Sequence, residues 1–342
     1  MLRGRALAMG RPRRRDAPGR RPNERRARRS TVHVIRSGPF VVELDERLGG
    51  EITRIQHDDR ELLASYDWAS PVRVSRSATY GDPKLDWLSE YRGGWQLLIP
   101  NAGPACVVDG VPLPFHGEWS RTHVTVTERA ADRLVMAAGT RLPLVVEREV
   151  RVEARPDRVL VRTTVSNPSD RVVAFVWGEH PAFAVEDGDE IDLPPARVLA
   201  ADGTAVGDWP SISEGGRLDR VDATRPTESV HFVVGLTEGW AALRRRNGGV
   251  ALAWDVKEFP SVWLWHEIAS PGFPFYGRSS LVAIEPASSW PGNGLGSAIA
   301  HGLALTLQPG DTRSTTVAVI PFEISGQPLS GATVDGRLDF AP

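Results

Sequence analysis

Cysteine and lysine are nearly missing from this sequence. One cysteine, Cys106, in 342 residues excludes an intramolecular disulfide and any metal site built from several thiolates. It stands in the apolar stretch ACVV, a setting that suits a small core residue better than a reactive thiol. Lysine occurs only as Lys84 and Lys257, which points to codon bias more than to function. No apolar stretch approaches the roughly 18 to 20 residues that a membrane helix needs. No apolar segment follows the N-terminal arginines, so a secretion signal is not expected. The expected location is the cytoplasm, with no membrane partner. Helical periodicity is scarce too: no segment sustains apolar residues at i, i+3, i+4 and i+7 for three turns.

What is present suits a large soluble domain. With 41% hydrophobic and 25% charged residues, the chain can bury a sizeable core. The net charge of −2 conceals two unlike parts. Residues 1–30 hold twelve arginines against Asp16 and Glu24, a balance of +10, so the rest of the chain carries −12. This segment has Gly, Pro and almost no periodic apolar residues, so it is read as a disordered Arg-rich tail or a start site set too far upstream. The competing reading is a nucleic-acid or membrane-surface arm. Beyond residue 30 basic residues alternate with acidic ones and form no block, and no nucleic-acid partner is expected.

From Val32 onward apolar residues recur with period two, and turn signals return about every eight to twelve residues, the pattern of an antiparallel sandwich or barrel. In LVVEREVRVEARPDRVLVRTTVSNPSDRVVAFVW, Val146, Val150 and Val152 alternate with charges, Arg155-Pro156-Asp157 turns, Val159 and Val161 resume, and Asn167-Pro168-Ser169-Asp170 turns again. The spacing predicts a three-stranded meander. GLALTLQPGDTRSTTVAVIPF predicts two strands joined at Pro309-Gly310-Asp311. With no fixed repeat and no Pro/Gly-rich linker, residues 31–342 read as a single all-β domain.

Four segments interrupt this grammar with polar chemistry: YRGGWQLLIPNAG at 91–103, PFHGEWS at 114–120, WGEHPAF at 177–183 and SLVAIEPASSWPG at 280–292. In the first, paired glycines allow close backbone approach, and Asn101 lies between Pro100 and a small-residue turn. The others place His116, His180 and Glu285 at or near strand ends. A carboxylate and two imidazoles suffice for proton transfer in both directions.

Together and in this order, Arg92-Gly93-Gly94, His116-Gly117, His180-Pro181-Ala182-Phe183 and Glu285-Pro286 resemble the motifs of the aldose 1-epimerase (galactose mutarotase-like) family. The resemblance spans about residues 35 to 320. It implies a large antiparallel β-sandwich, the galactose mutarotase-like supersandwich, forming one catalytic domain over 31–342. It also implies an isomerase that interconverts the α and β anomers of an aldose. Glu285 would be the base that takes the C1 hydroxyl proton, His180 the acid that protonates the ring oxygen, and His116 a hydrogen-bond donor beside it. Such a reaction needs no cofactor or metal.

For sugar binding the resemblance suggests Asp255, with His266 and Glu267 as competitors; Arg92, Asn101 and the flat faces of Trp265 and Trp95 complete the candidates. His33, His57, His123, His231 and His301 lack supporting neighbours and read as surface or structural residues. HGEWS and PNAG depart from the galactose enzymes toward a divergent branch that includes hexose-6-phosphate epimerases. A phosphorylated substrate would call for arginines near the site, with Arg92, Arg121 and Arg278 as candidates. A sugar-binding domain without turnover is the reading from a different class.

Overall fold

The alternation of valine with charge becomes two ten-residue strands, Val145–Ala154 and Asp157–Ser166, paired antiparallel with nearly every second side chain buried. This is the geometry that period two demands of a sheet with one face on a core. The computed structural model describes residues 31–66, 81–246, 248–323 and 327–342. The expected disordered tail lies outside the described residues. Thr31–Pro342 forms one compact unit.

Two large antiparallel sheets face each other. The first has thirteen strands and runs from Val32–Ser37 at one edge through Phe40–Asp45, Glu51–His57, Trp95–Leu98, Gly178–Ala184, Ser280–Ala287, Ser261–Ile268 and Thr227–Val234 to Arg197–Ala200 and three short strands at the other edge. The second has eight: Glu190–Asp192, Trp240–Arg245, Gly248–Ala253, Thr312–Phe322, Asp157–Ser166, Val145–Ala154, Arg133–Gly139 and Thr125–Arg129. Val146, Val150 and Val152 of one strand and Val159, Val161 and Val165 of the other are buried in the core between the sheets, and the fold is the large β-sandwich that the period-two pattern and the motifs imply.

The predicted meander is corrected at its third strand. After the turn at 167–170 the chain makes only Val173–Phe175, which pairs with Leu305–Leu307 in a small separate sheet. It then crosses into the thirteen-stranded sheet as Gly178–Ala184. The strands on either side of Pro309-Gly310-Asp311 exist, but Leu305–Leu307 pairs with Val173–Phe175 and Thr312–Phe322 enters the second sheet, so they form no hairpin.

Helix is confined among the described residues to Pro83–Glu90 and Gly294–Ala300, apart from short 3-10 turns. The first begins where the sequence allows: Asp82 Oδ1 accepts from the Lys84 and Leu85 N–H groups, and Pro83 needs no partner at the first helical position. It buries Trp87 and Leu88 on the outer face of the first sheet.

Between the sheets sits one buried ion pair. Glu179, from the first sheet, accepts from Arg148 Nη1 at 2.9 and 3.2 Å, from Trp95 Nε1 at 2.7 Å and from Thr163 Oγ1 at 3.1 Å. Arg148 and Thr163 belong to the second sheet, so the cluster ties one sheet to the other. Glu179→Leu leaves Arg148 buried without its counter-charge and should cost about 3–5 kcal/mol in urea unfolding. Adding Arg148→Met should recover most of that loss, whereas a purely additive double mutant would mean that the pair contributes nothing as a pair.

Candidate active site

The strands Trp95–Leu98, Gly178–Ala184, Ser280–Ala287 and Ser261–Ile268 are neighbours in the middle of the thirteen-stranded sheet. Successive side chains of a strand go to opposite faces. Glu179 and Phe183 enter the inter-sheet core, so His180 and Ala182 must emerge on the outer face. On the next strand Val282 and Ile284 go inward, leaving Leu281, Ala283 and Glu285 outward. The register pairs Gly178↔Ala287 and Ala182↔Ala283 bracket His180 and Glu285, which therefore stand opposite each other. Pro181 and Pro286, which have no N–H to give to a ladder, lie in the interval between those pairs.

The motifs HP and EP thus lie inside strands. This corrects the expectation that places His180 and Glu285 at strand ends: Gly178–Ala184 is itself the strand that carries the imidazole, and Ser280–Ala287 runs on past Glu285. His180 Nε2 approaches Glu285 Oε1 at 3.5 Å.

His116 arrives from a loop. Its φ is 58°, and Gly117 follows at 75°, two left-handed residues in succession. A side chain at Gly117 would collide with the carbonyl of Ile99, which accounts for glycine in the HG motif. The Gly103 N–H donates to His116 Nδ1 at 3.1 Å, and the His116 N–H donates to the Gly103 carbonyl at 2.9 Å. With Nδ1 occupied as an acceptor, neutral His116 carries its proton on Nε2 and is a donor there. Its ring centroid lies 5.7 Å from that of His180, so His116, His180 and Glu285 form one group, each less than a tenth exposed.

Aromatic rings surround the group. Trp87 stands 4.8 Å from His116 and 5.4 Å from His180, centroid to centroid, and Tyr91 and Trp265 lie 5.7 and 5.9 Å from His180. Trp263, opposite Glu285 in register, lies 6.4 Å from His116. Trp87, Tyr91 and Trp263 were not among the sequence candidates. For the first two a signal existed in Asp82-Pro83, a helix start that puts Trp87, Leu88 and Tyr91 on one side.

Burial among these rings moves the titrations. Desolvation pushes the Glu285 carboxyl well above its ordinary range. Loss of water also pulls His180 down to about 4 and His116 well below 6.5, the latter helped by repulsion from His180 and Lys84. All three groups favour their uncharged forms.

The binding candidates divide. Trp265 is in the group. Arg92 lies beside it, after the helix Pro83–Glu90, with Nη1 donating to the carbonyls of Ser89 and Tyr91. Asn101 is corrected: Nδ2 donates to the carbonyls of Pro104 and Pro114, and Oδ1 accepts from the Leu295 N–H, so its amide is spent on pinning the loop that holds His116. Asp255 is corrected as well. It is exposed on the turn after Gly248–Ala253, in the other sheet, where Oδ1 accepts from the Lys257 N–H.

Trp95 points between the sheets and offers no face to a sugar. His266 shares the inward face of its strand with Leu264, while Glu267 is on the site's face, buried, with Oε1 accepting from Ser270 N–H and Ser279 Oγ at 3.0 Å.

A family model described as a domain of unknown function, DUF4432, matches residues 32–320. The chain belongs to the DUF4432 family. No curated protein matches it. Among solved structures it is similar to the Slr1438 protein from Synechocystis sp. PCC 6803, at 15% identity with a TM-score of 0.67, over 86% of this chain and 97% of that one. It is also similar to a galactose mutarotase related enzyme from Lactobacillus acidophilus, at 15% identity and a TM-score of 0.61, over 86% and 97% of the two chains. A galactose mutarotase-like protein from Lactobacillus casei gives 17% identity, a TM-score of 0.61 and 85% and 99% coverage. The shared property is the galactose mutarotase-like fold.

The Gly103 contact makes a spectroscopic prediction. Nitrogen-15 shifts of His116 should show the neutral, Nε2-protonated tautomer from pH 8 down to pH 5, because burial holds its titration well below 6.5. An imidazolium signal near pH 6 would overturn the assignment.

Proposed function

We propose that this chain is an aldose 1-epimerase, an isomerase that opens and recloses the ring of an aldose. The observation that carries the reading is the contact of His180 Nε2 with Glu285 Oε1 at 3.5 Å, with His116 beside it, on an aromatic-lined face of the sheet. Ring opening moves one proton from the C1 hydroxyl to Glu285 and one from His180 to the ring oxygen as the bond from C1 to that oxygen breaks. Rotation about the C1–C2 bond turns the other face of the aldehyde toward the hydroxyl. Reclosure returns both protons and leaves the opposite anomer. His116, a donor at Nε2, stabilises charge developing on the ring oxygen.

The pair holds one proton in all. With Glu285 raised and His180 lowered, that proton rests on Glu285 in the free protein. This is the protonation state left after ring opening, so the contact between the two groups is the path by which the proton returns to His180 before the next opening. Each group serves as acid in one half of the reaction and as base in the other.

A sugar phosphate is less well supported. Arg121 pairs with Glu90 at 3.3 Å, Arg278 donates to the carbonyls of Phe275 and Pro274, and Arg92 donates to Ser89 and Tyr91.

The decay of optical rotation of freshly dissolved α-D-glucose and α-D-galactose tests the reading. The wild-type protein should accelerate it. Glu285→Gln and His180→Gln should each lose about 10² to 10⁴ in kcat, and wild-type rates in either variant would remove that residue from the mechanism. Activity should fall on acidification through about 4, where His180 takes a second proton, and fall again on the alkaline side above the ordinary carboxylate range, where Glu285 loses the shared one.

A further inference from the structure

Gln96 is a buried amide whose nitrogen is fully used and whose oxygen is not. Nε2 donates to Glu51 Oε1 at 2.7 Å and to the Gly93 carbonyl at 2.6 Å. A carbonyl can only accept, so the amide is fixed with its nitrogen there and Oε1 turned away from both. Oε1 is buried and has no hydrogen-bond partner among the described residues. Trp95 and Leu97, on either side, go into the inter-sheet core, so Gln96 stands on the outer face, and its register partner is His180. A satisfied structural amide would use both ends, as Asn101 does.

We infer that Gln96 is a specificity residue whose Oε1 accepts a hydrogen bond from a ring hydroxyl of the sugar bound over His180 and Glu285, with Glu51 as the positioning residue that holds the amide in that orientation. This rests on the epimerase reading of the same face and adds the means by which one hydroxyl is selected. An aldose lacking that hydroxyl leaves the buried oxygen unpaired in the complex, so the site discriminates against it. Gly94 belongs to the same device: at φ 74°, a side chain there would stand 2.8 Å from Glu51 Oε1, the atom that receives Gln96. Burial raises the Glu51 carboxyl to about 8, so it is uncharged at neutral pH and serves as a neutral acceptor for the amide.

The test compares wild type with Gln96→Met on the aldose turned over fastest and on its 2-, 3-, 4- and 6-deoxy analogues. The variant should lose about tenfold in kcat/KM on the parent sugar, the value of one neutral hydrogen bond. It should lose as much on every analogue but one, on which it should match the wild type. Glu51→Leu should reproduce this pattern, and Glu51→Gln, which keeps an acceptor oxygen, should restore most of the loss. An equal loss on all five sugars, or none on any, would overturn the inference.

Should Gln96→Met not fold by circular dichroism, Glu51→Leu carries the comparison. If wild type turns over no sugar but binds them, read by tryptophan fluorescence, the epimerase reading falls and the same comparison is made on Kd. If no sugar binds, both fall.

Discussion

Two adjacent residues, Glu179 and His180, cannot point the same way in an extended strand. Everything about the site follows from that constraint. Glu179 is held inward by Arg148, Thr163 and Trp95, and the same pleat forces His180 outward toward Glu285. A slip of one residue would place an imidazole against Arg148 and a carboxylate among the aromatic rings. The ion pair between the sheets therefore acts as a register pin for His180 and Glu285 on the far side.

Much of this was legible in the sequence, and the reasons differ by residue. Glu285, His180 and His116 could be chosen because the four segments around them, taken together and in order, resemble the aldose 1-epimerase motifs; each residue alone also fits a structural role at a strand end. Period two gave the sheets. What period two cannot give is which strands meet: Val173–Phe175 and Leu305–Leu307 looked like members of local hairpins and instead pair with each other. Two binding candidates, Asn101 and Asp255, failed on the same ground. Asn101 is a polar residue in an apolar loop, but hydrogen bonds to Pro104, Pro114 and Leu295 explain it, and a partner almost two hundred positions away is invisible in one sequence. Asp255 fits a position in the chain and not a position in space, since the strand that precedes its turn belongs to the other sheet.

The site is unusual in how little charge it keeps. Glu51 and Glu285 are driven toward their protonated forms and His116 and His180 toward neutral imidazole, all by loss of water. Such a face suits a substrate that offers many hydroxyls and no formal charge. Aromatic faces stand there beside neutral acids, amides and imidazoles, so apolar surface alternates with hydrogen-bond donors and acceptors.

Strand position sets how the site tolerates change. His180 and Glu285 ride on strands with several others to either side, far from both edges of the sheet. Fraying at an edge leaves their spacing untouched, and insertions in the surrounding loops can accumulate without moving either one. His116 has no such protection, because it is tied to a loop by two bonds to Gly103 and by the amide of Asn101. Divergence within the family can therefore move His116, through that loop, while His180 and Glu285 stay where the sheet puts them.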